Sequence, residues 1–102
     1  MRRVIVRYQV KPERAAENVS LIQRVFAQLT DEAPEGIRYA TFKLEDGVSF
    51  IHVATIDTAD DKNPLQAIAA FQQFAQTIKD RCVEPPISMQ AEVVGEYRLF
   101  AT

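Results

Sequence analysis

One four-stranded antiparallel sheet with two helices on a single face, an α+β arrangement, is predicted by three features of this chain. Two segments carry apolar residues at the three- and four-residue spacing of a one-sided helix. An Asp-Gly pair joins two alternating runs in the middle, and further alternating runs lie near the two ends. The resulting order is strand, helix, strand, strand, helix, strand.

Residues 4–10 form the first alternation, with Val4, Val6, Tyr8 and Val10 on one side and Ile5, Arg7 and Gln9 on the other. Lys11-Pro12-Glu13 ends it and starts a helix, because proline lacks the donor that a first helical turn would orphan and the acid suits the helix dipole. Ala15, Val19, Ile22, Phe26 and Leu29 then recur on one stripe with Val25 beside them, while Glu13, Glu17, Gln23 and Arg24 fall elsewhere. Helix should end near Ala33-Pro34, since proline disfavours helix in the residue before it, and Glu35-Gly36 turns the chain.

Residues 37–56 read as a hairpin about Asp46-Gly47. A two-residue primed turn, with positive φ at both central residues, pairs Phe42 with Ile51, Ala40 with Val53 and Arg38 with Thr55. On the other face it pairs Lys43 with Phe50, Thr41 with His52, Tyr39 with Ala54 and Ile37 with Ile56. Both faces are largely apolar, and both therefore need cover.

Asn63-Pro64 opens a second helix, Asn63 as N-cap, Pro64 at the first position and Gln66 as capping-box partner. Ala67, Phe71, Phe74, Ala75, Ile78 and Cys82 share its apolar face, and Pro85-Pro86 breaks it. Residues 87–100 make a long last strand that Gly95 divides by a bulge or bend.

The order is that of the ferredoxin-like split βαβ arrangement, in which right-handed crossovers put both helices on one face. The more uniformly apolar face, with Ala40, Phe42, Ile51 and Val53, is expected under the helices. The mixed face, with Tyr39, Thr41, Phe50 and His52, is expected against a second copy of the chain in a symmetric dimer.

At 102 residues the chain is one domain, 1–102. A formal charge of −2 gives no electrostatic footprint for nucleic acid. MRRVIVRYQV has too short an apolar run for a signal peptide or membrane span, so no membrane partner and a cytoplasmic location are expected. The single Cys82 excludes an internal disulfide and a cysteine zinc cluster.

Four stretches, VRYQVKPERAAEN, GIRYATFKLEDGVSFIHVA, NPLQAIAAFQQF and RCVEPP, give the chain a resemblance to the dimeric α/β-barrel superfamily. Within it the chain most resembles small bacterial proteins grouped with the antibiotic biosynthesis monooxygenases. The resemblance implies a homodimer whose sheets form a barrel, with any pocket between sheet and helices or inside the barrel. It implies, as activity, cofactor-free oxygenation of a small aromatic or polyketide-like molecule. A non-catalytic dimer that binds a small apolar ligand, or a purely structural dimer, is the alternative. The heme-degrading branch relies on an Asn, a Trp and a His of the second helix; this chain has no Trp and no His there, which argues against heme. No cofactor and no metal are expected.

His52 is the lone histidine and the candidate general base, since a neutral imidazole can take a proton from a carbon acid or phenol at neutral pH. The structural alternative is a histidine hydrogen-bonded across from Thr41 as part of the dimer core. Arg7, read as lying on the same mixed face, is the candidate stabiliser of a phenolate or enolate, with a pair to a carboxylate such as Glu92 as the bland alternative. Tyr39 is a candidate for orienting the substrate, and Thr41 and Phe50 are candidate ligand contacts. Cys82, at a helix C-terminus, reads as a small buried hydrophobe rather than a reactive thiol. Glu45, Asp46, Asp57, Asp60 and Asp61 read as solvated turn acids.

Overall fold

In a computed structural model, which describes residues 1–99, the chain runs β1 (Arg2–Val10), α1 (Ala15–Glu32), β2 (Ile37–Lys43), β3 (Ser49–Ile56), α2 (Ala69–Arg81) and β4 (Cys82–Gln90). Each helix is preceded by a short 3-10 turn, Pro12–Arg14 and Pro64–Ala67. The strands form one antiparallel sheet in the order β2-β3-β1-β4, which is the ferredoxin-like α+β fold. No helix among the described residues is long and apolar enough to cross a membrane.

The hairpin register is the expected one: Thr41 lies opposite His52, Ala40 opposite Val53 and Ile37 opposite Ile56. Its turn is not the expected one. Gly47 alone takes a positive φ, +78°, and donates its N–H to the Leu44 carbonyl at 3.0 Å. Asp46 keeps an ordinary φ because its carboxylate holds the loop from outside. Oδ1 accepts the Val48 and Ser49 amides at 2.9 and 2.8 Å, and Oδ2 accepts the Ser49 hydroxyl at 2.6 Å. The side chain thus does the work that a second left-handed residue would do in a primed turn.

The second helix begins later than Asn63-Pro64 implies. Asn63 does cap, accepting the Leu65 amide at 3.0 Å, but it caps the 3-10 turn, and Ile68 is extended before α2 opens at Ala69. The last strand begins earlier and ends sooner than 87–100: it starts at Cys82 and passes through Pro85-Pro86. Prolines are tolerated there because β4 is the sheet's edge and pairs only with β1. One register shift against β1 spans the prolines, between Glu84 and Ile87, and a second lies just before them, between Cys82 and Glu84. Residues 91–96, with Gly95, lie in no strand, and Phe100 lies outside the described residues.

The two faces of the sheet are exchanged relative to expectation. Val6 pairs with His52 and Tyr8 with Phe50, and it is this set that lies beneath the helices, with Phe50, His52, Ala54 and Ile56 buried. The core gathers Tyr8, Val10, Ile22, Val25, Phe50, Phe74 and Ile78. The face with Ala40, Phe42, Ile51 and Val53 carries neither helix. There Ile87 and Met89 are 63% and 68% exposed. The reason lies in the helices, whose buried stripes are not purely apolar. Asn18 of α1 and Arg81 of α2 are fully buried; Arg81 donates to Asn18, and Asn18 in turn needs the Tyr8 hydroxyl of the mixed face as a partner.

Candidate active site

A cavity of ≈ 1150 Å³ lies between α2 and the helix-side face of the sheet. Alternate residues of β1 and β3, Val4, Val6, Ala54 and Ile56, make its floor, and Phe71, Phe74 and Ile78 of α2 make its roof. The mouth is polar, with Arg2, Asp60, Lys62 and Gln90. At the inner end the polar groups are Tyr8, Tyr39 and His52. Strand alternation explains this end: Tyr8, His52 and Tyr39 come from three neighbouring strands and all point to the same face.

These side chains form a continuous hydrogen-bonded chain. Arg81 Nε donates to Asn18 Oδ1 at 2.9 Å, and Asn18 Nδ2 donates to the Tyr8 hydroxyl at 2.9 Å. The Tyr8 hydroxyl is 2.7 Å from His52 Nε2, and His52 Nδ1 is 2.5 Å from the Tyr39 hydroxyl and 3.0 Å from that of Thr41. A guanidinium can only donate, so it must face the oxygen of Asn18, and the amide NH₂ must then face Tyr8. Tyr8 accepts there, and its own proton has one partner left, the bare Nε2 of His52. A neutral imidazole with Nε2 bare carries its proton on Nδ1 and donates it to Tyr39 or Thr41. The phenolic proton of Tyr39 is then free to turn into the cavity.

Burial keeps His52 and the two tyrosines neutral. His52 is 5% exposed, and desolvation pushes its pKa down from 6.5 to about 4, so the ring is uncharged at neutral pH. Desolvation pushes the Tyr39 phenol up to about 12, with a Thr41 hydrogen bond pulling the other way. Tyr8 is pushed up further still, again by burial, against the Asn18 hydrogen bond. Aromatic contacts hold the rings in place: Tyr8 stacks on Phe50 at 5.5 Å, Tyr39 on Phe26 at 5.1 Å, and His52 lies 5.4 Å from Phe74.

Of the residues singled out in the sequence, His52, Tyr39 and Thr41 come together, and Arg7 does not. Arg7 pairs with Ile51 and Ile87 on the opposite face, one residue out of step with Tyr8, so the sheet itself separates it from His52. Thr41 touches His52 without lining the cavity, and Phe50 is buried behind Tyr8, so neither is placed to touch a ligand there. His52 has both nitrogens engaged, so the groups presented to a ligand are hydroxyls. Cys82 is half-buried at the start of β4; burial pushes its thiol up and the neighbouring Arg81 pulls it down. Among the described residues, no three His, Cys, Asp or Glu side chains gather as a metal site.

Asn18 and Arg81 were missed as site residues, although a signal was present. Asn18 stands four before Ile22 and seven before Val25, and Arg81 stands three after Ile78 and seven after Phe74. Each therefore falls on its helix's apolar stripe.

No protein-family description matches the chain, and no curated protein matches it. Solved structures do. A proposed antibiotic biosynthesis monooxygenase from Nitrosomonas europaea superposes with a TM-score of 0.76 at 18% identity, covering 93% of this chain and 100% of that one. A variant of SnoaB, a cofactor-independent oxygenase from Streptomyces nogalater, superposes with a TM-score of 0.68 at 16% identity, covering 95% and 96%. The chain shares its fold with both of these proteins. It shares it also with a protein of unknown function from Nitrosomonas europaea, with a TM-score of 0.71 at 12% identity over 94% and 91% of the two chains. At such identities the likeness is one of fold, and the chemistry has to be argued from the residues of this cavity.

Proposed function

We propose that this chain is a cofactor-independent oxygenase acting on a small aromatic or polyketide-like molecule held between α2 and the sheet. The observation that carries the reading is the inner end of the cavity, where apolar walls close on the Tyr39 hydroxyl and His52 holds that hydroxyl from behind. An enolisable aromatic ketone fits such a place. Its rings lie against Phe71 and Phe74, and its oxygen accepts the Tyr39 proton. As the enolate forms, its carbon-bound proton is released to solvent at the polar mouth and later returned to the peroxide; the Tyr39 hydrogen bond strengthens with the growing charge, which is the condition for accelerating the step. The electron-rich ring carbon then reduces dioxygen and forms a carbon–oxygen bond. Loss of water from the hydroperoxide converts CH₂ and O₂ into C=O and H₂O, with electrons and atoms balanced. His52 acts through Tyr39 in this scheme, by fixing the direction of its hydroxyl.

The same reading includes a homodimer in which the open sheet face, with Ile5, Ile51, Val53, Ile87 and Met89, is covered by that face of a second copy. SnoaB, described as a cofactor-independent oxygenase on the same fold, adds support to the catalytic half of the proposal.

The test is dioxygen uptake with a panel of hydroxylated tricyclic aromatic ketones. Turnover above the buffer rate, with one O₂ consumed per ketone formed and no hydrogen peroxide released, is expected. Tyr39→Phe should lower kcat about 10²-fold with the fold intact. Saturable binding of the panel with no uptake above buffer would overturn the oxygenase reading in favour of a binding protein.

A further inference from the structure

Arg81 is the buried charge that the scheme above leaves without a task. Its side chain is 0% exposed, and every acceptor it meets is neutral: Asn18 Oδ1 at 2.9 Å, Thr77 Oγ1 at 2.6 Å and the Phe74 carbonyl at 3.2 Å. The Phe74 ring lies 5.1 Å from the guanidinium carbon. Among the described residues no carboxylate stands within ion-pair distance of it. Glu17, whose field reaches Arg81, is held by Arg14 at 2.6 and 3.1 Å. The other acids facing the chain, Tyr8 of β1, Tyr39 of β2 and Cys82 of β4, are all kept protonated by burial. A guanidinium does not give up its proton, and burying one without a counter-ion is expensive.

The neutral links between Arg81 and the cavity all point one way. Arg81 donates to Asn18, Asn18 to Tyr8, Tyr8 to His52, His52 to Tyr39, and Tyr39 into the cavity. Reversing the chain would set the Asn18 NH₂ against the guanidinium, donor against donor. The cation therefore locks the direction, and hydrogen bonds in series polarise one another.

We propose that the ligand supplies the missing negative charge. The cavity holds an aromatic molecule through an ionised hydroxyl, a phenolate or enolate oxygen at Tyr39, and Arg81 is the positioning residue that keeps every donor of the chain aimed at it. This rests on the reading that the cavity takes an aromatic molecule with its oxygen at Tyr39. It names the form bound, an acidic hydroxyaromatic as its anion.

The experiment uses 1,2-dihydroxyanthraquinone, whose visible band reports ionisation of its hydroxyl, titrated on the protein and free in the same buffer. The bound dye should ionise with a constant at least about tenfold larger than the free dye, a shift of one pH unit or more. Arg81→Met should bind the dye and lose the shift. Tyr8→Phe, which interrupts the chain while leaving Arg81 bonded to Asn18, should lose it as well, and decides the matter if the Arg81 variant does not fold. In the ligand-free protein, ¹⁵N spectra should show His52 protonated on Nδ1 and bare on Nε2. Dye that binds without a shift, or whose shift survives in a folded Arg81→Met, overturns the role of Arg81 and leaves the cavity reading standing. So does a His52 protonated on Nε2. Failure of the dye to bind overturns both.

Discussion

His52 is buried without charge, and the cost of charging it gives the protein a pH signature. The imidazole titrates near 6.5 when unfolded and near 4 when folded, so between these values the unfolded chain binds the extra proton. Stability is therefore complete above pH 6.5 and falls as the pH drops towards 4, by up to about 3 kcal/mol. Urea melts of wild type and His52→Gln between pH 7 and pH 4 should show this part of the slope in the wild type alone. Equal slopes would mean that His52 is solvated. The sequence exposed His52, Tyr39 and Thr41 as a group because alternation across a known hairpin register is enough to place them together. It misplaced Arg7 because the register between β1 and β3 is set by contacts distant in the chain, and a shift of one residue moves every side chain to the other face. Asn18 and Arg81 escaped for a related reason: a polar residue on an apolar stripe is explained only when the partner on another element is known.

Turns show how local chemistry can be replaced without changing what it connects. The hairpin keeps its register although Asp46 never enters the left-handed region, because its carboxylate holds Val48 and Ser49. The two positive-φ glycines should respond differently to alanine. Gly36, at φ +82°, has Thr58 Cγ2 at 2.5 Å and the Asp57 carbonyl oxygen at 2.9 Å from where a Cβ would stand, whereas Gly47, at φ +78°, has nothing within 4 Å. Gly47→Ala should cost about 1 kcal/mol from φ alone, and Gly36→Ala at least about 2 kcal/mol, lowering Tm by roughly 10 °C. Equal losses in thermal melts would show that the close approach at Gly36 relaxes freely. Helix and strand types were legible from periodicity throughout. The start of α2 and the extent of β4 were not, since proline signals a boundary without saying whether a 3-10 turn or an edge strand lies beside it.

At the level of the whole molecule, the apolar content of the two sheet faces gave the wrong answer about which one the helices cover. The aromatic and polar face lies inside because its polar groups satisfy one another and Asn18, which in turn holds Arg81. The greasier face is left without a helix over it. Met89→Asp, on the open face and remote from the cavity, should shift sedimentation from dimer to monomer without unfolding the chain. A wild type that sediments as a monomer at micromolar concentration would remove the dimer from the proposal. The cavity belongs to a single chain, between its own α2 and sheet, so the monomeric variant should still bind an aromatic ligand.

That placement can be seen outright in a crystal structure of the protein with a hydroxylated anthraquinone bound. The expected result is a planar ligand between Phe71, Phe74 and the sheet floor, with an oxygen at about 2.7 Å from the Tyr39 hydroxyl. A ligand seated on the open sheet face, or one in the cavity with its oxygen turned to the mouth and away from Tyr39, would contradict it.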